Sequence, residues 1–451
     1  MKSSVLHKLL IGFFCVISPI CIAEDLMEIY RKAVLHDPQI LGARNTNNAA
    51  NESVTEAASQ LLPQVNFQYS RGKVKERVRT RSQSLFSTVI DEEVNITRYD
   101  DVNRSLSLTM PLYNRAFSKN YQRAESELLQ SDAEFLSIQQ DLILRTAERY
   151  LEALSAKNEI GLVLSEKVAL QRQLKLVQVM MRSGTAPKSE LYDVQARYAS
   201  VEADEINARN LHNNRLEALR EIVGDISGEL AVLKPDITLI APNPQNSQAW
   251  IKIAVEKNPQ IIVRSRAVDA SRHQIAVDKS GHLPVVNLSA NITERDNLES
   301  SRGTDEETRG IFLTFDLPLY QGGSVSARTR RSYELYEKVS QDLREIKYSI
   351  QRSTLEAYNG IISAISRINA LNKSVDAQSL ALEQRKKGFR SGLYTTLDVL
   401  DAERDVYESK RDYANARYDY FLNWLRLKHS AGIMTEADVR EVNQWLQKEA
   451  L

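Results

Sequence analysis

The sequence predicts an α+β chain built as an internal duplication, with long antiparallel helices and four β-strands. Three observations carry this. Glycine (16) and proline (11) are scarce among 451 residues, and both interrupt helices, so composition leans α-helical. Ordered motifs recur at fixed offsets, which marks a repeat. Four stretches switch to a period of two, the signature of a strand with one apolar and one polar face.

The repeat comes first. Ala33-Val34-x-x-x-Pro38-Gln39-Ile40 returns as Ala254-Val255-x-x-x-Pro259-Gln260-Ile261, and Leu62-Pro63-x-Val65-Asn66 returns as Leu283-Pro284-x-Val286-Asn287. Further on, Arg182-Ser183-Gly184 matches Arg390-Ser391-Gly392, Asn207-Ala208-Arg209 matches Asn415-Ala416-Arg417, and Gly224 matches Gly432. The second set keeps one register with no gap. Its smaller offset puts a length change in the loop of a hairpin.

Each half then reads alike. A short helix opens it, at 26–35 and 250–256. Pro38 and Pro259 suit the first turn of a second helix, running to about Ser59 and Lys279. Val65, Phe67 and Tyr69 alternate with polar residues, as do Leu106, Leu108 and Met110; in the second half Val286, Leu288, Ala290 and Ile292 do so, then Ile311, Leu313, Phe315 and Leu317. These give hairpins at 63–112 and 284–319, closed by polar loops at about 71–103 and 294–309. Two long helices follow, 115–183 and 324–388, each with one interior glycine and no proline. At 1.5 Å per residue each extends roughly 100 Å. Gly184 and Gly392 suit left-handed C-terminal caps, after which helices at 187–223 and 395–431 return. Apolar spacing along them is mixed, which fits a larger bundle better than a two-stranded coiled coil. The expected divisions are a leader at 1–23, a first repeat at 24–246, a second at 247–432, and a tail at 433–451 with a short helix.

The leader rests on Lys2, His7 and Lys8 ahead of an apolar stretch from Leu9 to Ile22, with Ala23 as the small residue before cleavage. The chain is then exported. Cys15 and Cys21, the two cysteines, leave with the leader, so the mature chain has no disulfide and no thiol ligand. Lys plus Arg and Asp plus Glu both number 59, which argues against nucleic acid as a partner. No apolar run reaches the roughly 20 residues of a membrane helix.

Four strands with one apolar face cannot close a barrel by themselves, since the smallest membrane barrels have about eight. Lipid forbids an open sheet edge. Either the hairpins pack on soluble protein or several chains share one barrel. Export, alternation and a polar face of Asn, Ser, Thr and Gln favour sharing; a dimer supplies eight strands and a trimer twelve, and counting alone does not choose.

A family resemblance adds to this. Leu61-Leu62-Pro63-Gln64, His282-Leu283-Pro284, Leu317-Pro318-Leu319-Tyr320-Gln321-Gly322-Gly323, Asp398-Val399-Leu400-Asp401-Ala402 and Ala414-Asn415-Ala416-Arg417-Tyr418, taken in order, resemble the TolC family of outer-membrane efflux proteins. The likeness runs from about Asp25 to Gly432. It implies a homotrimer: a twelve-stranded outer-membrane β-barrel, four strands per chain, continuous with a long antiparallel α-helical barrel in the periplasm. It implies an exit duct for efflux pumps or type I secretion. The implied partners are a periplasmic adaptor, an inner-membrane RND, ABC or MFS pump, and outer-membrane lipid. Neither enzyme activity nor a cofactor is implied.

No motif for catalysis stands out. His273 and His282 form the nearest thing to a metal pair among six histidines, and neither His-Glu-x-x-His nor a nucleophile elbow occurs. Gly322 and Gly323 read as the bend from strand into helix. Asp398 and Asp401, at i and i+3, share a helix face; Thr395 would cap that helix, with acids in its first turn. The resemblance makes the two aspartates a ring at the periplasmic aperture, where six carboxylates would favour cations. It also makes Ser189, Glu190, Phe389 and Tyr394 the polar gate links, although Phe389 and Tyr394 stand where the family has a tyrosine and an arginine; either the closed state is weaker, or other groups such as Arg390 and Lys386 compensate. Arg182, Ser183, Gly184, Arg390, Ser391 and Gly392 are the implied adaptor contacts. Opening would proceed by iris-like helix realignment. The stretch 71–103 mixes Lys73, Lys75, Arg77, Arg79 and Arg81 with Asp91, Glu92 and Glu93 and reads as a solvated surface loop. The rival functions are a periplasmic adaptor and a soluble periplasmic enzyme.

Overall fold

The computed structural model describes residues 24–83, 90–226, 228–297 and 305–447. The expected leader, with both cysteines, lies outside the described residues. The first half runs α1 (Leu26–His36), α2 (Pro38–Ser59), β1 (Gln64–Gln83), β2 (Ile90–Tyr113), α3 (Arg115–Arg182) and α4 (Lys188–Val223). After β3 (Val232–Leu233) the same order returns as α5 (Ser247–Lys257), α6 (Pro259–Lys279), β4 (Val285–Asn297), β5 (Asp305–Asp316), α7 (Ser324–Arg390) and α8 (Thr396–Ser430). A tail adds α9 (Glu436–Gln444) and β6 (Leu446–Gln447). None of the described helices is long and apolar enough to cross a membrane.

The chain forms two compact units. One holds residues up to Gly42, Ser137–Asn258 and Ile350 onward. Its core gathers Leu26, Ile29 and Ala33 of α1, Tyr150, Leu151 and Leu154 of α3, Leu219 of α4, and Tyr420, Phe421 and Leu425 of α8. Asp25 starts α1 with a capping box to Glu28, and Asn246 caps α5. Between the paired short helices sit Asp37 and Asn258, both buried. Asp37 receives Arg145 at 2.6 Å, and Asn258 Nδ2 donates to the Ser430 carbonyl at 2.8 Å. Gly432 has a positive φ of 69° and lies so close to the Asn258 backbone that any Cβ would collide. In the tail, Trp445 packs on Phe421 with ring centroids 4.5 Å apart, and β6 pairs with β3. These two strands, of two residues each, are too short to leave a pattern in the sequence.

The other unit holds Ala43–Leu136 and Pro259–Ser349. Its centre is one antiparallel sheet in the order β1-β2-β4-β5. The register stacks like on like: Phe67 faces Leu106, which faces Ile292, while Val65 faces Leu108, which faces Ala290 and then Ile311. Directly paired residues share a face. The whole apolar set therefore lies on one side, and much of it is exposed: Val65 62%, Phe67 70%, Leu313 68% and Phe315 64%. A bulge falls between Pro111 and Tyr113, where proline has no N–H to give the ladder.

Two expectations are corrected here. The segments 71–103 and 294–309 are largely strand, not loop: β1 continues to Gln83, β2 starts at Ile90, β4 reaches Asn297 and β5 starts at Asp305. Ladder bonds are made by backbone, so a charged strand can be as regular as an apolar one. Cross-strand charges support it, with Arg71 on Asp100 at 3.0 Å, Arg104 on Asp296 at 2.9 Å and Arg295 on Asp101 at 2.7 Å. Conversely, β5 stops at Asp316, short of Leu317 and Pro318.

Candidate functional site

The described ends of the two long-helix hairpins lie in the first unit and carry most of the predicted site residues. Both turns are built alike. Ser183 Oγ donates to the Met180 carbonyl and Ser391 Oγ to the Gly388 carbonyl, each at 2.9 Å. Gly184 and Gly392 follow with φ of 76° and 77°. Arg182, Ser183, Gly184, Arg390, Ser391 and Gly392 are all exposed. Gly322 and Gly323, with φ of 61° and 79°, make the bend into α7 in the second unit.

The first turn of α8 concentrates the chemistry. Thr395 caps the helix, and the Asp398 carboxylate accepts from the Thr395 backbone N–H at 2.8 Å and from its hydroxyl at 2.7 Å. Those hydrogen bonds, from side chain and then backbone, hold the Asp398 carboxyl below its ordinary value, with Arg385 adding to the effect. Asp401 is half-exposed and lies 3.5 Å from Arg404, which also reaches Asp405 at 3.1 Å. The two aspartates are thus held differently, one by the cap and one beside a guanidinium.

Of the four predicted gate residues, Ser189 is exposed, Glu190 and Phe389 are half-buried, and Tyr394 is 40% exposed. Glu190 does not engage Phe389 or Tyr394 through any described hydrogen bond; its Oε2 accepts the hydroxyl of Thr396. Thr396 is fully buried. This bond ties α4 of the first half to α8 of the second. One turn further along α8, Leu400 enters the apolar cluster of Val163, Leu170, Val177, Val194 and Val201 on α3 and α4. A polar link and an apolar plug therefore sit on one helix face, four residues apart. Tyr394 folds back on its own hairpin: a Cβ at Gly388 would stand 2.5 Å from the Tyr394 ring. Lys386 binds the buried Glu403 at 2.6 Å, joining α7 to α8 within one hairpin rather than bridging the halves. Nearby, burial raises the Glu166 carboxyl against the opposing pull of Arg197, 2.8 Å away.

Thr396, Glu403, Gly388 and Arg404 were not singled out from sequence. Glu403 carried a signal, since it falls on the stripe of Thr396, Val399, Ala402 and Val406 that α8 buries. Thr396 carried none beyond its place beside a capping threonine. His273 lies in α6, and His282 ends a single 3-10 turn after it. Among the described residues no cluster of three or more His, Cys, Asp or Glu converges as a metal site.

Comparison with known proteins places this architecture. Residues 29–225 and 250–433 match the family described as outer membrane efflux protein. The chain is 32% identical to outer membrane protein TolC of Vibrio cholerae, over 94% of each chain. It is 28% identical to the alkaline protease secretion protein AprF of Pseudomonas aeruginosa, covering 93% of this chain and 87% of that one. The fold is shared with the outer membrane protein VceC of Vibrio cholerae, at a TM-score of 0.74 and 18% identity, over 90% of this chain and 96% of that one. The two halves with their hairpins and paired helices are those of an outer membrane efflux protein, and the chain belongs to that family.

Proposed function

We propose that three copies of this chain form an exit duct through the outer membrane, serving tripartite efflux, type I secretion or both. The observation that carries the reading is the sheet. Its apolar face is exposed, and β1 and β5 are open edges within one chain. Both features are costly in water, and an open edge is forbidden in lipid. Pairing β5 of one copy with β1 of the next closes the edges, and three copies make a twelve-stranded barrel with the Asn, Ser, Thr and Gln face inward and the apolar face covered by lipid. The long helix pairs then form an α-helical barrel in the periplasm. The leader at 1–23 is removed on export, and the two structural repeats occupy 24–246 and 247–432.

At the periplasmic entrance, Asp398 and Asp401 from three chains form a carboxylate ring that favours cations. Glu190 holds the entrance shut through Thr396. Docking of a periplasmic adaptor on the exposed turns at Arg182–Gly184 and Arg390–Gly392 releases that link, and the α7–α8 pair swings outward. An inner-membrane pump supplies the cargo. The family match leaves the adaptor reading without support. Extraction from outer membranes tests the proposal: a detergent-dependent trimer that conducts ions in planar bilayers is expected, and a monomer stable in plain buffer would end it.

A further inference from the structure

The charges on the β1–β2 ribbon are sorted by face. The ladder is unbroken from Gln64↔Thr109 to Gln83↔Ile90, so alternate residues keep one side throughout. The stripe that begins Val65, Phe67, Tyr69 continues as Arg71, Lys73, Lys75, Arg77 and Arg79, all exposed. Their partners on β2 add Arg98, opposite Lys75, and one acid, Asp100, which Arg71 engages at 3.0 Å. The reverse side of this stretch carries Gly72, Val74, Glu76 and Val78 opposite Asp101, Tyr99, Thr97 and Asn95. Within this ribbon bases therefore fall on one face and acids mostly on the other, whereas on β4 and β5 the same face carries Glu294, Asp296 and Glu307, the first two within reach of Arg104. The change from apolar to charged follows the register across the sheet, because Tyr69 pairs with Arg104, Arg104 with Glu294, and Glu294 with Glu307.

We propose that this basic stripe binds the anionic, phosphate-bearing headgroups of the lipid around the barrel. The proposal rests on the membrane reading above. The apolar stripe and the basic stripe are one continuous face, separated by a single tyrosine at the boundary, where aromatic girdles sit. An amphipathic molecule with its chains along Val65 and Phe67 has its headgroup level with Arg71 and Lys73. Successive bases recur about every 7 Å along the strand, so they can follow phosphates that stand above the hydrocarbon. Arg and Lys suit phosphate by charge and by N–H donors. A soluble polyanion would not need the apolar continuation, which is why a lipid is the fitting occupant.

The test uses the full purified chain in detergent, with native mass spectrometry reading retention of added lipid. The probes are a bis-phosphorylated glucosamine lipid, the same lipid dephosphorylated, and inorganic phosphate. The phosphorylated lipid is expected to be retained at roughly tenfold lower concentration than its dephosphorylated form. The variant Lys73→Gln/Lys75→Gln/Arg77→Gln loses that preference, Lys73→Arg/Lys75→Arg keeps it, and Glu76→Gln on the reverse face leaves it unchanged. Equal retention of the two lipids, or an unaltered preference in the triple variant, overturns the proposal. Full displacement by inorganic phosphate assigns the stripe to a free anion instead and overturns it too. Trimer assembly is read separately on gels. An intact trimer with no lipid preference defeats this inference alone, whereas absence of the trimer defeats the membrane reading beneath it.

Discussion

Replacing Thr396 by valine keeps the volume of the side chain and removes the hydroxyl that Glu190 accepts. Thr396 is 0% exposed, so no water takes the place of the lost donor on that side. A hydrogen bond to a charged group contributes about 1.5–3 kcal/mol. Glu190 is only half-buried, and water reaching the released carboxylate argues for the lower end. About 1.4 kcal/mol is a tenfold shift in an equilibrium. Each chain of a trimer would therefore favour the open entrance by roughly tenfold, and three chains opening together by about a thousandfold. Single-channel conductance of the purified protein in planar bilayers reads this directly. Thr396→Val is expected to spend far more time in high-conductance states, while Thr396→Ser, which keeps the donor, behaves as the parent. Native conductance in Thr396→Val, with the trimer intact, would refute the assignment of this bond to the gate.

The remaining predictions concern the same end of the molecule. Trivalent cations applied from the entrance side are expected to block the current, and the double variant Asp398→Ala/Asp401→Ala to abolish the block; equal blockade in both proteins would remove the carboxylate ring. Because the Asp398 carboxyl is held below its ordinary value of 3.8, its cap contribution is complete above that pH and is lost as pH falls through the lowered value. Hydrogen exchange at residues 395–399 should accelerate only in strong acid, and in Asp398→Asn it should be fast throughout. Gly388→Ala pushes on the Tyr394 ring and should destabilise the turn by about 1–3 kcal/mol, with relief when Tyr394→Ala is added; additive effects in a double-mutant cycle would contradict the contact. Lys386→Met leaves the Glu403 carboxylate buried without its cation. The loss should lie near or below the low end of about 3–5 kcal/mol, since the Lys386 side chain is 44% exposed, and Glu403→Leu in the same background should restore stability in thermal melts.

Much of the fold could be read because its rules are local. Long stretches without proline became helices within a residue or two of the expected ends, and alternation gave the sheet its apolar face. Where the rule depended on hydropathy alone the reading failed. The charged ribbon beyond Ser70 looked like a loop because its ladder bonds leave no trace in side-chain polarity. The strands β3 and β6 are two residues each and meet across more than two hundred positions. The Asp398 cap was legible, being a threonine three residues ahead of an acid. The Glu190–Thr396 link was not, because its partners lie 206 positions apart and share no pattern.

The repeat explains why that link exists in one direction only. Glu190 and Asp398 occupy equivalent places, each the third residue of a returning helix that starts just after a glycine turn. In the second half the residue ahead of the helix is Thr395, whose hydroxyl and N–H take hold of the Asp398 carboxylate. In the first half that residue is Pro187, which has neither hydroxyl nor N–H and makes no side-chain cap bond. Glu190 is therefore not drawn into a capping box, and its longer side chain is free to cross to α8. Two copies of one ancestral turn have divided the work of a carboxylate. One fastens the end of its own helix, and the other fastens that helix pair to its neighbour. Two differences go with the two partners: proline in place of threonine at the cap position, and glutamate in place of aspartate three residues on.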